Sequence, residues 1–277
     1  MTDQIRYGAA GFRRRNGLAL GSAAAVFGVM AVGLVVPPYR TGRDVLQPPG
    51  PEHWLGTNDI GQDVLIGLMH AMPNTVFIAV SAALISLAAA TTFACLAAIG
   101  GTLVATAVLR TVDILQVIPS ILLLLLFAAW LQPGIAGIVL LLALTTWHED
   151  VRVLRAIVLR ELTRENVRYA RHMGAGWSYC VTHHIVPAVW PTLVGLYVQN
   201  IRQAVMKAAG IAFLGLTDPR LTTWGSMMQD SLDHLHGDAW RWLLLPPALS
   251  LSLFLLIVLA VGQRLERQTM AGATARP

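Results

Sequence analysis

The chain has 277 residues, of which 55% are hydrophobic and only 13% are charged, and its mean hydropathy is +0.60. Soluble globular proteins carry about 25% charged residues, and several apolar blocks here reach the roughly 20 residues that a helix needs to cross a bilayer, so a soluble protein is excluded. The net charge of +5 does not indicate nucleic-acid binding, because the arginines flank apolar runs instead of forming a basic stripe.

The first apolar block, Leu18–Val36, follows a basic N-terminal segment with the run Arg13-Arg14-Arg15. A cleaved signal peptide is an alternative, but its apolar region normally spans about 7–15 residues and ends at a small-x-small cleavage site, which this block lacks. We therefore expect a retained first membrane helix that enters from the cytoplasm.

Five further membrane helices are expected after a polar external segment, Tyr39–Thr75. The apolar pattern predicts them at Val76–Leu109, ending near Gly100-Gly101; at Arg110–Leu131; from Ile135 to beyond Trp147; at about Pro187–Leu216; and at Trp242–Val261. The chain is thus predicted to be all-α, a polytopic membrane protein with about six transmembrane helices. We divide it into residues 1–72, with the cytoplasmic N-terminus, the first helix and the external segment; residues 73–265, the transmembrane domain; and residues 266–277, a cytoplasmic tail.

The arginine distribution orients this layout. Fourteen arginines fall on the side of the two termini and four on the opposite side. Basic residues gather on the cytoplasmic side of membrane proteins, so both termini are predicted to be cytoplasmic.

The segment 148–186 joins the fourth and fifth predicted helices on the cytoplasmic side and is long for such a connection. It begins with an amphipathic pattern, and a second short helix is expected at about Asn166–His172. Gly174 follows, and a glycine can adopt the left-handed conformation that ends a helix and turns the chain back towards the membrane. Another protein could bind such a helix. The alternative is a solvated surface helix with its arginines near lipid headgroups.

The same segment resembles the loop motif of ABC importer permeases. The resemblance is carried by Trp147, Arg152, Arg155, Leu159, Val167, Ala170, Arg171, Gly174, Ala175, His184 and Pro187. That motif reads Glu-Ala-Ala, then Gly four residues after the second alanine; here Arg168 and Tyr169 replace its first two residues. The resemblance implies that the short helix docks in a cleft of an ATPase subunit and transmits nucleotide-driven motion. The residues to which it gives this role are Arg168, Tyr169, Ala170, Arg171, Gly174 and Ala175.

Three further segments resemble the dipeptide, oligopeptide and nickel permeases of this family. Residues 55–64 are similar to their external motif Gly-Thr-Asp-x-x-Gly-Arg-Asp-Val, with Asn58 in place of its first acid and Gln62 in place of its arginine. The other two are Arg110-x-x-Asp113 with Pro119, and Phe213-Leu214-Gly215-Leu216 followed by Trp224-Gly225-x-Met227. The matches keep the family order along the chain.

The resemblance implies a bacterial inner-membrane permease with the type I ABC importer fold, the second permease of its pair. It would form half of the translocation pathway for a peptide, nickel or a metal chelate. The implied partners are a second permease, two ATP-binding subunits, an external solute-binding protein and the lipid bilayer, with no nucleic acid.

Neither enzyme activity nor a cofactor is expected. A P-loop of the form G-x-x-x-x-G-K-[ST] is missing around the single lysine, Lys207, so ATP hydrolysis is assigned to partner subunits. The alternative function is a stand-alone secondary carrier or channel for a small solute, which would not explain the glycine-turned internal helix.

Two basic residues, Arg202 and Lys207, fall inside the fifth predicted helix and are candidates for the translocation pathway. A charge in hydrocarbon is costly unless it reaches the interface, pairs or faces a water-filled path. Lys207 either snorkels to the outer interface or lines the pathway, where a cation would favour carboxylate-bearing solutes.

Small residues of the fifth predicted helix, such as Gly210 and Ala212, allow close helix approach within this subunit or with a second permease. No metal site is expected, because the external loop 233–238 shows two histidines and two aspartates without a fixed third ligand at site spacing. Cys95 and Cys180 are expected to be structural thiols.

Overall fold

The computed structural model describes the backbone of residues 41–274 and the side chains of residues 41–265, apart from those of Ser178 and Pro187. The expected first helix, Leu18–Val36, lies outside the described residues. Within them the secondary structure is helical, with a single isolated β-bridge between Thr57 and Asp63. The predicted fold class, an all-α polytopic membrane protein, is confirmed.

Ten α-helices follow one another in the described part of the chain. They are α1 (Val64–Ile99), α2 (Gly101–Val117), α3 (Ser120–Leu131), α4 (Ile135–Leu162), α5 (Glu165–His172), α6 (Trp177–Cys180), α7 (Val186–Phe213), α8 (Trp224–Asp230), α9 (Trp240–Leu243) and α10 (Leu245–Thr274). A π-helical turn, Val181–Ile185, joins α6 to α7, and a short 3₁₀ turn, Leu232–His234, follows α8.

Helix α1 begins at Val64, so the expected start at Val76 is wrong. The side chain of Asp63 caps the helix, because its Oδ1 accepts hydrogen bonds from the backbone N–H groups of Leu65 at 2.8 Å and Ile66 at 3.1 Å. The boundary drawn between residues 72 and 73 therefore falls inside α1. The predicted end near Gly100-Gly101 is confirmed, and Gly101 has the positive φ, +81°, that separates α1 from α2.

The third predicted helix is broken, so the expectation of one helix over Arg110–Leu131 is wrong. Helices α2 and α3 meet at Ile118-Pro119 with a bend of 74°. Proline lacks an N–H group and disfavours the helical conformation in the residue before it, and Ile118 is extended at φ −91°, ψ 124°.

Two helices pass the length and composition test for a membrane span among the described residues: α1, and the segment Trp240–Leu265 that contains α9 and most of α10. The bent pair α2 and α3 would be a third. Helices α4 and α7, each 28 residues long, also exceed the roughly 20 residues that a crossing needs, but both carry charged side chains.

Two apolar clusters hold the helices together. The first joins α1, α3, the start of α4, the end of α7, α8 and α10, with Ile78, Leu142 and Val205 among its buried residues. The second joins the end of α1, α2, the end of α4 and the chain leading into α7, around Val112 and Leu154. Helix α4 contributes to both clusters, and it continues to Leu162, so the first part of the expected internal loop is a continuation of the fourth helix.

Candidate coupling helix and interhelical charge pair

Helix α5 lies in the predicted internal segment and is connected to the bundle through one buried side chain. The expected helix at Asn166–His172 is confirmed, with a start at Glu165. Val167 is 2% exposed, whereas the side chains of Arg168 and Tyr169 point outward. The helix therefore presents a polar face that the rest of the described chain does not cover.

Gly174 ends this segment in the conformation that the sequence predicts. Its φ is +88°, its N–H donates to the carbonyl of Arg171 at 3.0 Å, and the N–H of Ala175 donates to the carbonyl of Ala170 at 3.0 Å. This pair of bonds is a Schellman motif. A Cβ at Gly174 would meet no atom within 4 Å, so the need for glycine arises from the backbone conformation and not from crowding.

A buried carboxylate fixes the joint between α4 and α5. Glu161 is 3% exposed, and its oxygens lie 3.0 Å from Nε of Arg164 and 3.5 Å from Nη2 of Arg160. On the far side of α5, the guanidinium of Arg171 lies 4.4 Å from the ring centroid of Trp177. Ion pairing thus occurs at one end of α5 and a cation–π contact at the other.

The outer face of α5 combines a cation with two large side chains. Tyr169 is 67% exposed and Met173 is 88% exposed, and the two lie one helical turn apart beside Arg168. The side chain of Arg168 forms neither an ion pair nor a hydrogen bond with the described residues. An exposed aromatic, a flexible thioether and an unpaired guanidinium are features of contact surfaces.

Lys207 forms an ion pair with Glu149, which was not predicted from the sequence. Its Nζ lies 3.4 Å from Oε1 of Glu149 and 3.3 Å from Oγ1 of Thr146, both on α4. Asn200, about two helical turns before Lys207, donates to Oδ2 of Asp150 at 2.8 Å. Because Asp150 is the neighbour of Glu149, both contacts lie at the same level of α4.

The ion pair with Glu149 is a third arrangement, different from both a snorkelling lysine and a free cation that lines the pathway. The side chain of Lys207 is 14% exposed and that of Glu149 is 33% exposed, so the pair is partly buried between two helices. The signal that could have found it is the dipeptide Glu149-Asp150 in the fourth apolar run, because an intramembrane cation requires a partner. Arg202 is exposed on α7 and has no ion-pair partner in the described part of the chain.

Further polar contacts connect α4 to α1 and α2. Arg152 forms an ion pair with Asp113, and Nε of Arg155 donates to the carbonyl of Ala97 at 3.2 Å. Nε2 of Gln116 donates to the carbonyl of His148 at 3.3 Å. Asp113 of the family-like Arg110-x-x-Asp113 segment therefore lies beside the family-like Arg152 of α4.

The external motif forms an ordered turn. Oδ1 of Asn58 accepts from the backbone N–H of Gln62 at 2.7 Å, and its Nδ2 donates to Oε1 of Gln62 at 3.0 Å. Nδ1 of His53 lies 2.9 Å from Oδ2 of Asp63, and Nε1 of Trp242 donates to the carbonyl of Thr57 at 3.1 Å. The two departures from the family motif, Asn58 and Gln62, thus contact each other.

The second family-like loop is tied to α1. Trp224 is 4% exposed, and its Nε1 donates to the carbonyl of Leu68 at 3.2 Å. Its neighbour Gly225 packs on α7, because a Cβ there would lie 2.8 Å from the carbonyl oxygen of Ala209 and 2.8 Å from Cβ of Ala212. The predicted close approach along α7 therefore occurs within this subunit at these alanines. A Cβ at Gly210 would meet nothing within 4 Å.

Cys95 and Cys180 are both free thiols. Over the described residues, the structure brings together no group of three or more histidine, cysteine, aspartate or glutamate side chains that could hold a metal ion. The residues of loop 233–238 thus do not converge.

Residues 90–270 match the family of binding-protein-dependent transport system inner membrane components. The chain belongs to this family. It is 30% identical to the oligopeptide transport system permease protein OppC of Mycobacterium tuberculosis over 262 residues, which cover 91% of this chain and 89% of that protein. It is 29% identical to OppC of Bacillus subtilis over 196 residues, which cover 70% of this chain and 64% of that protein.

The fold of this binding-protein-dependent permease matches a solved transporter chain. The backbone superimposes on a chain of the inward-facing MetNI methionine ABC transporter with a TM-score of 0.61 and 16% sequence identity, over 74% of this chain and 97% of that chain. At this identity the likeness concerns the fold alone. The resemblance to ABC importer permeases is confirmed, and the chain is the membrane-embedded permease component of a bacterial ABC importer.

Proposed function

We propose that this permease forms half of the translocation pathway of a peptide importer, with a second permease, two ATP-binding subunits and an external solute-binding protein. The observation that carries the coupling part of this proposal is α5 with its Schellman turn at Gly174. A short helix that is fixed to the bundle at both ends, and uncovered on its outer face, can transmit movement of a bound ATPase to α4 and α7.

The coupling role is proposed for Arg168, Tyr169, Ala170, Arg171, Gly174 and Ala175. Arg168 and Tyr169 would contact the ATPase directly because both are exposed. Ala170, Arg171, Gly174 and Ala175 would act by holding the turn, since they form its hydrogen bonds.

The proposed substrate class is a peptide, in preference to nickel or a metal chelate. The support is that the relatives in Mycobacterium tuberculosis and Bacillus subtilis are named as oligopeptide permeases. Peptides carry a carboxylate, and Arg202 and Lys207 are the cations on α7 that could face such a solute. Glu149 partly neutralises Lys207 in the present conformation, so Arg202 is the stronger candidate for a free positive charge.

We further propose that both termini are cytoplasmic and that transport follows alternating access, in which helices rock around a central cavity when the ATP-binding subunits close. The present fold likeness is to an inward-facing transporter. A stand-alone carrier or channel is the weaker candidate, because the family is that of binding-protein-dependent systems.

The experiment is uptake by proteoliposomes that contain the complete importer with ATP enclosed at the ATPase face. Radiolabelled peptide should accumulate only when ATP and the solute-binding protein are both present. Excess unlabelled peptide should abolish this uptake, and nickel or a metal chelate should not. If nickel or the chelate competes and peptide does not, the substrate is nickel or the chelate and not a peptide. Uptake without ATP would refute the proposal that the complex is an ATP-driven importer.

A further inference from the structure

The four arginines around α5 differ in what they contact, and this difference singles out one of them. Arg160 and Arg164 share the buried carboxylate of Glu161. Arg171 lies over the ring of Trp177 and donates from Nη1 to the carbonyl of Ala175 at 3.0 Å. Arg168 is exposed and forms no comparable contact with any described residue.

The neighbours of Arg168 on the helix surface do not neutralise it. Residues three and four positions away share a helical face, and these are Arg164, Glu165, Arg171 and His172. Three of the four are basic or can become so. Glu165, the one acid, lies in the first turn, where the positive end of the helix dipole stabilises a carboxylate, and it forms no ion pair with the described residues.

The cation is flanked by side chains that a partner would cover. Tyr169 and Met173 are more than half exposed on the same outer face. A protein that buried them would also remove water from the guanidinium of Arg168. Burying an unpaired charge is costly, whereas a carboxylate can accept two parallel hydrogen bonds from a guanidinium.

We propose that the α5 face of Arg168, Tyr169 and Met173 docks on an acidic cleft of the ATP-binding subunit, in which a carboxylate pairs with Arg168. This inference rests on the proposed function, and it adds that the cleft of the ATP-binding subunit is negatively charged. Because the family motif has glutamate where this chain has Arg168, the contact has the opposite polarity, and a cleft that suits the usual motif is a poor partner for this permease. The charge inversion thereby selects the cognate ATPase.

The test measures binding of the cognate ATP-binding subunit to the permease pair in nanodiscs. Binding should weaken as salt rises from about 0.1 M to about 1 M, over which the Debye length falls from about 10 Å to about 3 Å. Arg168→Gln should weaken binding and flatten this salt dependence. Arg168→Glu should raise the dissociation constant by about tenfold or more, because it places like charges together. Arg168→Lys should restore part of the affinity, since it keeps the charge but not the planar fork.

The control is Arg264→Glu, the same charge reversal at an exposed arginine of α10. It should leave the dissociation constant unchanged. Equal or tighter binding by Arg168→Glu would overturn the acidic cleft while leaving the importer assignment in place. Failure of the wild-type permease pair to bind any ATP-binding subunit would instead refute the proposed function.

Lipid is the other possible source of anions, and the same measurement separates it. The Arg168→Glu defect should be equal in neutral phosphatidylcholine and in anionic phosphatidylglycerol nanodiscs. A defect that occurs only in phosphatidylglycerol would show that Arg168 contacts lipid headgroups, and that result would overturn the proposal.

Discussion

The ammonium nitrogen of Lys207 lies 3.4 Å from a carboxylate oxygen of Glu149, and this contact joins α7 to α4. Beside it, the amide of Asn200 donates to the carboxylate of Asp150 at 2.8 Å. Two polar contacts therefore connect the same pair of helices at neighbouring positions. A separation or sliding of α7 relative to α4 at this level would break or lengthen them.

Replacing Lys207 with methionine should destabilise the protein, in contrast to the nearly silent outcome that snorkelling predicts. The change keeps most of the side-chain volume and leaves the Glu149 carboxylate without its cation. We expect a cost of about 1 kcal/mol, because polar contacts between membrane helices contribute about that much. Thermal unfolding of the purified protein in detergent measures it.

The matched control is Lys207→Met combined with Glu149→Gln, which removes both charges. If the pair is structural, the double variant should regain most of the lost stability. Uptake should then fall equally for neutral and anionic solutes in the single variant. A selective loss for anionic solutes, without a change in stability, would place Lys207 in the pathway as a free cation.

Gly174→Val should assemble in the membrane but fail to stimulate ATP hydrolysis. The φ of +88° costs a side-chain-bearing residue about 1–2 kcal/mol, and the β-branched valine tolerates it poorly. Gly174→Asn should retain more activity, because asparagine accepts left-handed conformations more readily. The readout is ATPase rate in the reconstituted complex.

Gly176→Ala is the control for that series. A Cβ at Gly176 meets nothing within 4 Å, as at Gly174, but its φ is not in the left-handed region. The Gly176→Ala variant should stimulate ATP hydrolysis as the wild type does. Equal ATPase stimulation by Gly174→Val and Gly176→Ala would remove the basis for the coupling turn.

Gly225→Ala should lower the stability of the subunit. The added methyl group would lie 2.8 Å from the carbonyl oxygen of Ala209, so α8 must shift away from α7. Overpacking of this kind costs about 1–3 kcal/mol. Gly210→Ala, in α7 itself, should be neutral or slightly stabilising because its Cβ enters open space and alanine favours the helix. Thermal unfolding that is indistinguishable between the two variants would refute this packing.

The predicted topology places α5 and the loop after α8 on opposite sides of the membrane. A reporter enzyme that is active only outside the cytoplasm should be inactive when fused after residue 170 and active when fused after residue 230. The expectation rests on the bias of fourteen arginines to four. The reverse pattern would invert the orientation of the whole bundle.

The sequence predicted the features that depend on local signals. The short helix ending before Gly174 and the end of the helix at Gly100-Gly101 follow from helical period and glycine chemistry, and both occur in the structure. The start of α1 was missed because Pro73, a residue that normally breaks a helix, lies inside it, and because the sequence did not reveal that the Asp63 side chain caps it. Pro119 was noted in the sequence, but its breaking of the third helix was not anticipated.

The partners of charged residues could not be derived from spacing alone. Glu149 and Lys207 are 58 positions apart, and only the packing of α4 against α7 brings them together. Likewise, the unpaired state of Arg168 became visible only when the contacts of the neighbouring arginines were known. The sequence shows on which helix a charged residue lies, whereas its ion-pair partner depends on how the helices pack against each other.

We propose that this permease couples transport to ATP hydrolysis by separate subunits through α5. The most direct measurement is affinity purification of the tagged chain from membranes that contain the whole importer, followed by an ATPase assay of the purified complex. We predict that a second permease and two ATP-binding subunits co-purify, and that the solute-binding protein with peptide stimulates ATP hydrolysis. Purification of the chain without an ATP-binding subunit, together with solute uptake by the chain alone in proteoliposomes, would instead show a stand-alone carrier or channel.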